Sequence, residues 1–311
     1  MRIAVIGAGG VGGYFGAKLA RAGNDVAFVA RGAQLAALRA RGLRVESAGG
    51  DITLAPVVAT DDPSTLAPVD AVMLCVKLWD VEAAARQIRP LVAAGGVVIP
   101  FQNGIDAHEI VAGVVGPDHV LGGVAYISAA IAEPGVIRHV GSMARLRVGA
   151  FAGGPAAAAR TFVDAAAASG IEIELAADIR RALWEKFVFL TALSGVTSLA
   201  RSPVGVIRSD PDLRAAFEAA VREGLAAGKS EGVALGDAFI AGALQVLDSL
   251  PAEMRTSMQV DLEAGHRLEA PWLCGRVASL ARRHGFAAPV NATIYAALKP
   301  FVGAPTHSGG A

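Results

Sequence analysis

The run Gly7-Ala8-Gly9-Gly10-Val11-Gly12, directly behind the apolar Ile3-Ala4-Val5-Ile6, constrains this chain more than any other stretch. A short apolar run closed by glycine reads as a buried strand. Tyr14 to Ala22 then reads as a helix, and Asp25 to Ala30 as a second strand. Strand, glycine turn, helix and strand in that order make the first βαβ unit of a dinucleotide-binding fold. Gly7 permits the tight turn, Gly9 lets the backbone approach a pyrophosphate, and Gly12 lets helix and strand pack closely. The helix N-terminus adds unpaired N–H groups and a positive dipole end, so Gly7, Ala8, Gly9, Gly10, Val11 and Gly12 are all expected at the cofactor. With 37 glycines in the chain, the spacing alone would mean little. Its place between an apolar strand and a helix gives it meaning.

The tip of the second strand bears on which nucleotide is held. An acidic residue there would bind a ribose 2′-hydroxyl; this chain has Arg31-Gly32 instead. An arginine can pair with a 2′-phosphate, so the expected cofactor is NADP(H). A merely solvated Arg31 would leave the choice open.

At 311 residues the chain is long enough for about two domains and a substantial core. Charged residues make up 18% and the formal net charge is zero, which argues against a polyanion partner such as nucleic acid. No apolar run is long enough to span a bilayer, so no membrane partner is expected. The opening apolar segment is accounted for by the nucleotide turn rather than by a signal peptide. Cys75 and Cys274 lie far apart, and neither they nor the six histidines show ligand spacing. No metal site and a reduced, cytoplasmic setting are the expectations.

Further along, Ala33 to Arg41 reads as a helix and Leu43 to Val58 as a hairpin turning at Gly49-Gly50-Asp51. Asp70 to Lys77 and Val97 to Phe101 read as strands around a helix at Val81 to Leu91. Val120 to Ala130 and Val136 to Val148 are further strands, Thr161 to Ser169 a helix, and Glu172 to Leu175 a strand closing the sheet. Strands alternating with helices argue for a mostly parallel sheet, whose ligands bind beyond the carboxyl ends of the strands. Lys77 and Asn103 both stand at such ends. From about Asp178 only helices are expected: Ile179 to Leu199, Pro211 to Glu231, Gly236 to Ser249, Met254 to Glu263 and Pro271 to His284. The expected domains are therefore 1–177, a Rossmann-type α/β domain, and 178–311, an all-helical domain, with the chemistry in the cleft between them. The apolar helix Phe239 to Leu250 suits either a core or a homodimer surface. The tail Gly303 to Ala311 is expected to fray.

Lys186, in Trp184-Glu-Lys-Phe-Val-Phe-Leu, begins a helical stretch that is apolar nearly all round, which is the mark of a buried helix. Burial lowers an ammonium pKa and makes a lysine a usable acid near neutral pH. The same lysine could instead pair with Glu185 or Glu172 at a helix end and play no part.

The N-terminal GAGGVGGYFGAKLA, VKLWD around Lys77, QNG around Asn103, LWEKF around Lys186, SM..D from Ser257 and a glutamate at Glu269 resemble, in order and spacing, the ketopantoate reductase (2-dehydropantoate 2-reductase) family. The resemblance runs across nearly the whole chain. It implies an N-terminal Rossmann domain, a helical C-terminal domain, and NADPH-dependent reduction of a 2-oxo acid. In the family that acid is 2-dehydropantoate, reduced to pantoate for pantothenate and coenzyme A. It implies that the glycine turn and Arg31 hold NADPH and that Lys77 and Asn103 contact cofactor and substrate. It further implies that Lys186 donates the proton, Ser257 binds the substrate, Glu269 lies near the cofactor ribose and reacting centre, and Ala129 lies near the nicotinamide. Glu269, just before Pro271, also suits a helix start, where a carboxylate is stabilised.

The departures concern substrate. The family carries asparagines one and two helical turns after the lysine; here those positions are Leu190 and Ser194, on the face of Lys186. A further asparagine is Val204 here. The cofactor and proton-transfer residues are kept while part of the substrate-recognising set is not, so the expected substrate is a 2-oxo acid or related ketone, not necessarily 2-dehydropantoate. Arg201 could supply an alternative carboxylate contact. Two other readings stay open: an NADP-dependent 3-hydroxy acid or sugar-acid dehydrogenase of the same plan, and a non-catalytic NADP sensor.

Overall fold

The computed structural model describes residues 1–303. The tail expected to fray lies, from Ala304 on, outside the described residues. The chain forms two compact units: Met1–Gln102 with Asp106–Leu183, and Asn103–Ile105 with the residues from Trp184 onward. The division between these compact units falls inside a helix, at Leu183/Trp184.

The first unit runs β1 (Arg2–Ile6), α1 (Gly10–Arg21), β2 (Asp25–Val29), α2 (Gly32–Arg41), β3 (Leu43–Glu46), β4 (Ile52–Leu54), β5 (Val58–Thr60), β6 (Ala71–Leu74), α3 (Val81–Val92), β7 (Val97–Pro100), α4 (Ala107–Val115), β8 (Leu121–Glu133), β9 (Val136–Ala150), α5 (Ala156–Ala168) and β10 (Glu172–Leu175). Five strands form an all-parallel sheet in the order β5-β2-β1-β6-β7. Strands β6 and β7 are buried at every residue, and β1 at all but its first. That is why they read as unbroken apolar runs rather than as alternation. The strand order reverses between β1 and β6, the place where sheets of this kind hold ligands.

Two expectations need correction. Strands β8, β9 and β10 do not extend the parallel sheet. They join β3 and β4 in a second sheet of order β10-β9-β3-β4, with β8 antiparallel to β9. Only Pro134 and Gly135, the glycine at φ +88, connect β8 to β9. So short a link permits an antiparallel hairpin and nothing else, because a parallel pair needs a long crossover. The Leu43–Val58 hairpin is likewise shorter than expected. Strands β3 and β4 pair as read, but Val58 belongs to β5, which pairs parallel to β2 in the first sheet.

Helix α1 packs between the two sheets, and glycine makes this possible on both sides. A Cβ at Gly12 would collide with the Gly7 carbonyl and the Val5 side chain of β1; one at Gly10 would collide with the Ala129 carbonyl of β8.

The helical unit takes most of α6 (Ile179–Ala200), then α7 (Val204–Ser209), α8 (Pro211–Ser230), α9 (Ala238–Ser249), α10 (Ser257–Glu263), α11 (Cys274–His284) and α12 (Pro289–Leu298). Helices α10 and α11 start three residues later than expected. Thr256 caps α10 by accepting from Gln259 N, and a single 3₁₀ turn at Ala270–Trp272 precedes α11. Helices α7 and α12 escaped the sequence reading. The first is too short to show periodicity. The second is capped from a distance: Val290 N and Asn291 N each donate at 2.8 Å to the carboxylate of Glu223, a buried residue of α8. In α9, Ile240, Ala243 and Leu247 are buried in the core of the unit. No described helix is long and apolar enough to cross a membrane.

Replacing Glu223 with alanine takes the acceptor from the backbone N–H groups of Val290 and Asn291, and one of two acceptors from the Asn291 side-chain amide. The expected loss, read from urea unfolding, is about 2–4 kcal/mol. Glu223→Gln retains an acceptor and should lose less; equal losses would contradict the capping role.

Candidate active site

In the first unit, α1 begins at Gly10, earlier than the expected Tyr14, so the glycine run itself forms the first turn. Its N-cap, Gly9, makes no side-chain cap, and no acidic residue stands in the first turn. First-turn amides have no intrahelical acceptor, and here nothing local substitutes for one, which is what an anion needs. Gly7 N and Ala8 N are committed differently: both donate to the Val29 carbonyl, at 3.0 and 3.3 Å, and shape the turn. Space around Gly9 is open, whereas Gly10 lies under the backbone of Ala129. Arg31 follows β2 as the exposed N-cap residue of α2. Lys77 follows β6, exposed, with its ammonium 5.7 Å from the centre of the Trp79 ring. The donors, the open glycine and the cationic strand tip fit a dinucleotide phosphate.

Two positioning residues escaped the sequence reading. Gln34 of α2 donates to the Ala8 carbonyl at 2.8 Å and accepts from Gly135 N at 2.8 Å, tying the glycine turn to the β8–β9 turn. Gln102, buried, donates at 2.9 Å to the carbonyls of Leu74 and Val76 and so fixes the strand exit that leads to Lys77. A glutamine on a surface helix and another in a loop carry no local pattern that reveals such bonds.

In the second unit, three of the expected residues come together. Lys186 Nζ donates to Asn103 Oδ1 at 3.0 Å, and Asn103 Nδ2 donates to Glu269 Oε2 at 3.4 Å. The Asn103 amide thus turns its oxygen to the ammonium and its nitrogen to the carboxylate. Glu269 is buried. It occupies the N-cap position of the Ala270–Trp272 turn, yet makes no side-chain cap there. Burial brings the Lys186 pKa down to about 8, against the opposing pull of the Glu269 carboxylate. A lysine so placed carries a proton at neutral pH and releases it far more readily than a solvated one.

The remaining candidates are distributed around α6 and α10. Leu190 is half-buried and Ser194 buried, one and two turns beyond Lys186. Ser257 is the exposed first residue of α10, whose cap is Thr256. Thr256 Oγ1 and Thr197 Oγ1 of α6 share a 2.9 Å hydrogen bond, a link absent from the sequence reading. Val204 is buried at the start of α7. Arg201 stands over the Phe301 ring at 5.9 Å. Fifteen residues past Lys186, it lies about 22 Å further along the helix axis, too far to reach a small substrate at the ammonium. An apolar recess of about 320 Å³, lined by Val196, Leu199, Leu213, Ala216 and Ile294 among others, with Thr293 as its one polar side chain, lies toward that same distal end of α6. Among the described residues no cluster suits a metal ion.

Comparison with known proteins bears on the family and the fold. Models of the families described as "Ketopantoate reductase PanE/ApbA" and "Ketopantoate reductase PanE/ApbA C terminal" match residues 3–153 and 178–302. The 2-dehydropantoate 2-reductase of Halobacterium salinarum is 35% identical over 298 residues, spanning 94% of this chain and 96% of its own. The "Uncharacterized oxidoreductase YkpB" of Bacillus subtilis is 29% identical over 301 residues, spanning 97% and 99%. A crystal structure of 2-dehydropantoate 2-reductase from Geobacter metallireducens superposes with a TM-score of 0.90 at 30% identity, covering 96% of this chain and 99% of that one.

Any turnover that draws its proton from Lys186 should fall as pH rises through about 8, because only the protonated amine is competent. In Glu269→Gln the supporting negative charge is gone, so the falling limb of the pH–kcat/KM profile should move to lower pH. A limb that stays in place or moves up would contradict the electrostatic coupling.

Proposed function

The chain belongs to the ketopantoate reductase family and is an NADP-dependent oxidoreductase, and from that premise we propose that it reduces the ketone of a 2-oxo acid, 2-dehydropantoate or a related compound, with Lys186 as proton donor. The observation that carries the proposal is the Lys186–Asn103–Glu269 chain around an ammonium whose pKa lies at about 8.

NADPH, when bound, would supply the hydride that the carbonyl carbon needs. Negative charge then develops on the ketone oxygen. Lys186 stabilises it first as a cation and then by giving up a proton, which leaves a neutral amine and a 2-hydroxy acid. Asn103 Oδ1 aims the ammonium before the transfer. Glu269 favours the charged lysine, so the donor is reprotonated from solvent for the next cycle. The first-turn amides of α1 would hold the pyrophosphate and Arg31 the 2′-phosphate. Lys77 is assigned to both cofactor and substrate, and Ser257 to the carboxylate or hydroxyl region of the substrate.

Lys186→Ala should lower kcat by about 10²–10⁴-fold while the Kd for NADPH, read by fluorescence titration, stays within about twofold. Near-normal kcat would remove the lysine from the reaction. Arg31→Ala should weaken NADPH by about tenfold and leave NADH unchanged. Equal effects on both would rule out a 2′-phosphate contact.

A further inference from the structure

We propose that the substrate is a 2-oxo acid whose side chain is hydrocarbon, seated on Leu190. The inference rests on the reductase reading and narrows it. Helix α6 carries four hydroxyl residues beyond Lys186, namely Thr191, Ser194, Thr197 and Ser198, and all are at most 1% exposed. Thr197 is bonded to Thr256 and to the Leu193 carbonyl. From Phe187 to Ser198 only Phe189 and Leu190 keep solvent exposure. Phe189 packs edge-on against Phe217, with ring centres 5.9 Å apart. Leu190 lies one turn from Lys186 on the same face. Among the described residues, it stands apart from the side chains that pack into the core of the helical unit. The surface that α6 offers a molecule held at the Lys186 ammonium is therefore the isobutyl group of Leu190.

Such a wall rewards an alkyl or aryl group with burial, and it has no partner for a hydroxyl, which would lose its water without replacement. A pocket built to bond a substrate hydroxyl does the reverse and rejects the analogue that lacks it.

Trimethylpyruvate is 2-dehydropantoate without its 4-hydroxyl, so the pair isolates this one group. The expected kcat/KM ratio favours trimethylpyruvate by about tenfold or more. Calorimetry on the enzyme with the two corresponding 2-hydroxy acids should show the same order of affinity. Leu190→Asn should reduce or invert both preferences. Preference for 2-dehydropantoate in the unmodified enzyme overturns the inference and leaves the reductase reading standing. If neither oxo acid is reduced and neither hydroxy acid binds, the reductase reading itself fails.

Discussion

Everything proposed for this chain depends on one ammonium taken out of water. Lys186 sits where α6 passes into a stretch that is buried at every position from Thr191 to Ser198. Desolvation penalises its charged form, and Asn103 and Glu269 return part of what is lost. The balance leaves a proton that is present at neutral pH yet held loosely. A solvated lysine would hold it too tightly to act as an efficient acid, and a lysine buried without partners would have none to give. The fold brings one partner from a distant part of the sequence. Residues 103–105 belong by their contacts to the helical unit, although the chain on either side of them belongs to the other.

The glycine turn is shaped by space. Helix α1 passes between two sheets, and the glycines at its start face both. Its first-turn amides are left without a capping side chain or an acidic neighbour, which suits an anion such as a phosphate. Gln34 then fixes the turn from α2.

Much of this was legible in the sequence because local physics wrote it there. Apolar runs marked β1, β6 and β7, the glycine spacing marked the turn, and the apolar helix around a single lysine marked Lys186. What stayed hidden was long-range. The second sheet depends on β9 pairing with β3, which are separated by about half of the first unit. The start of α12 depends on Glu223 of α8, and Gln102 acts on carbonyls of the preceding strand exit. Glu269 shows the intermediate case. Its place before Pro271 pointed to a helix start, but its carboxylate turns to Asn103 rather than to the turn it begins. Side-chain pattern reports burial and local geometry; it does not report which distant group completes a hydrogen bond.

The most direct measurement is a titration of Lys186 itself, by NMR of the protein carrying ¹³C-labelled lysine and compared with Lys186→Arg for assignment. A single lysine resonance titrating near pH 8 is the result required by a desolvated ammonium held by Asn103 and Glu269. A Lys186 resonance that titrates with the solvated lysines, near 10.5, would contradict the account at its foundation.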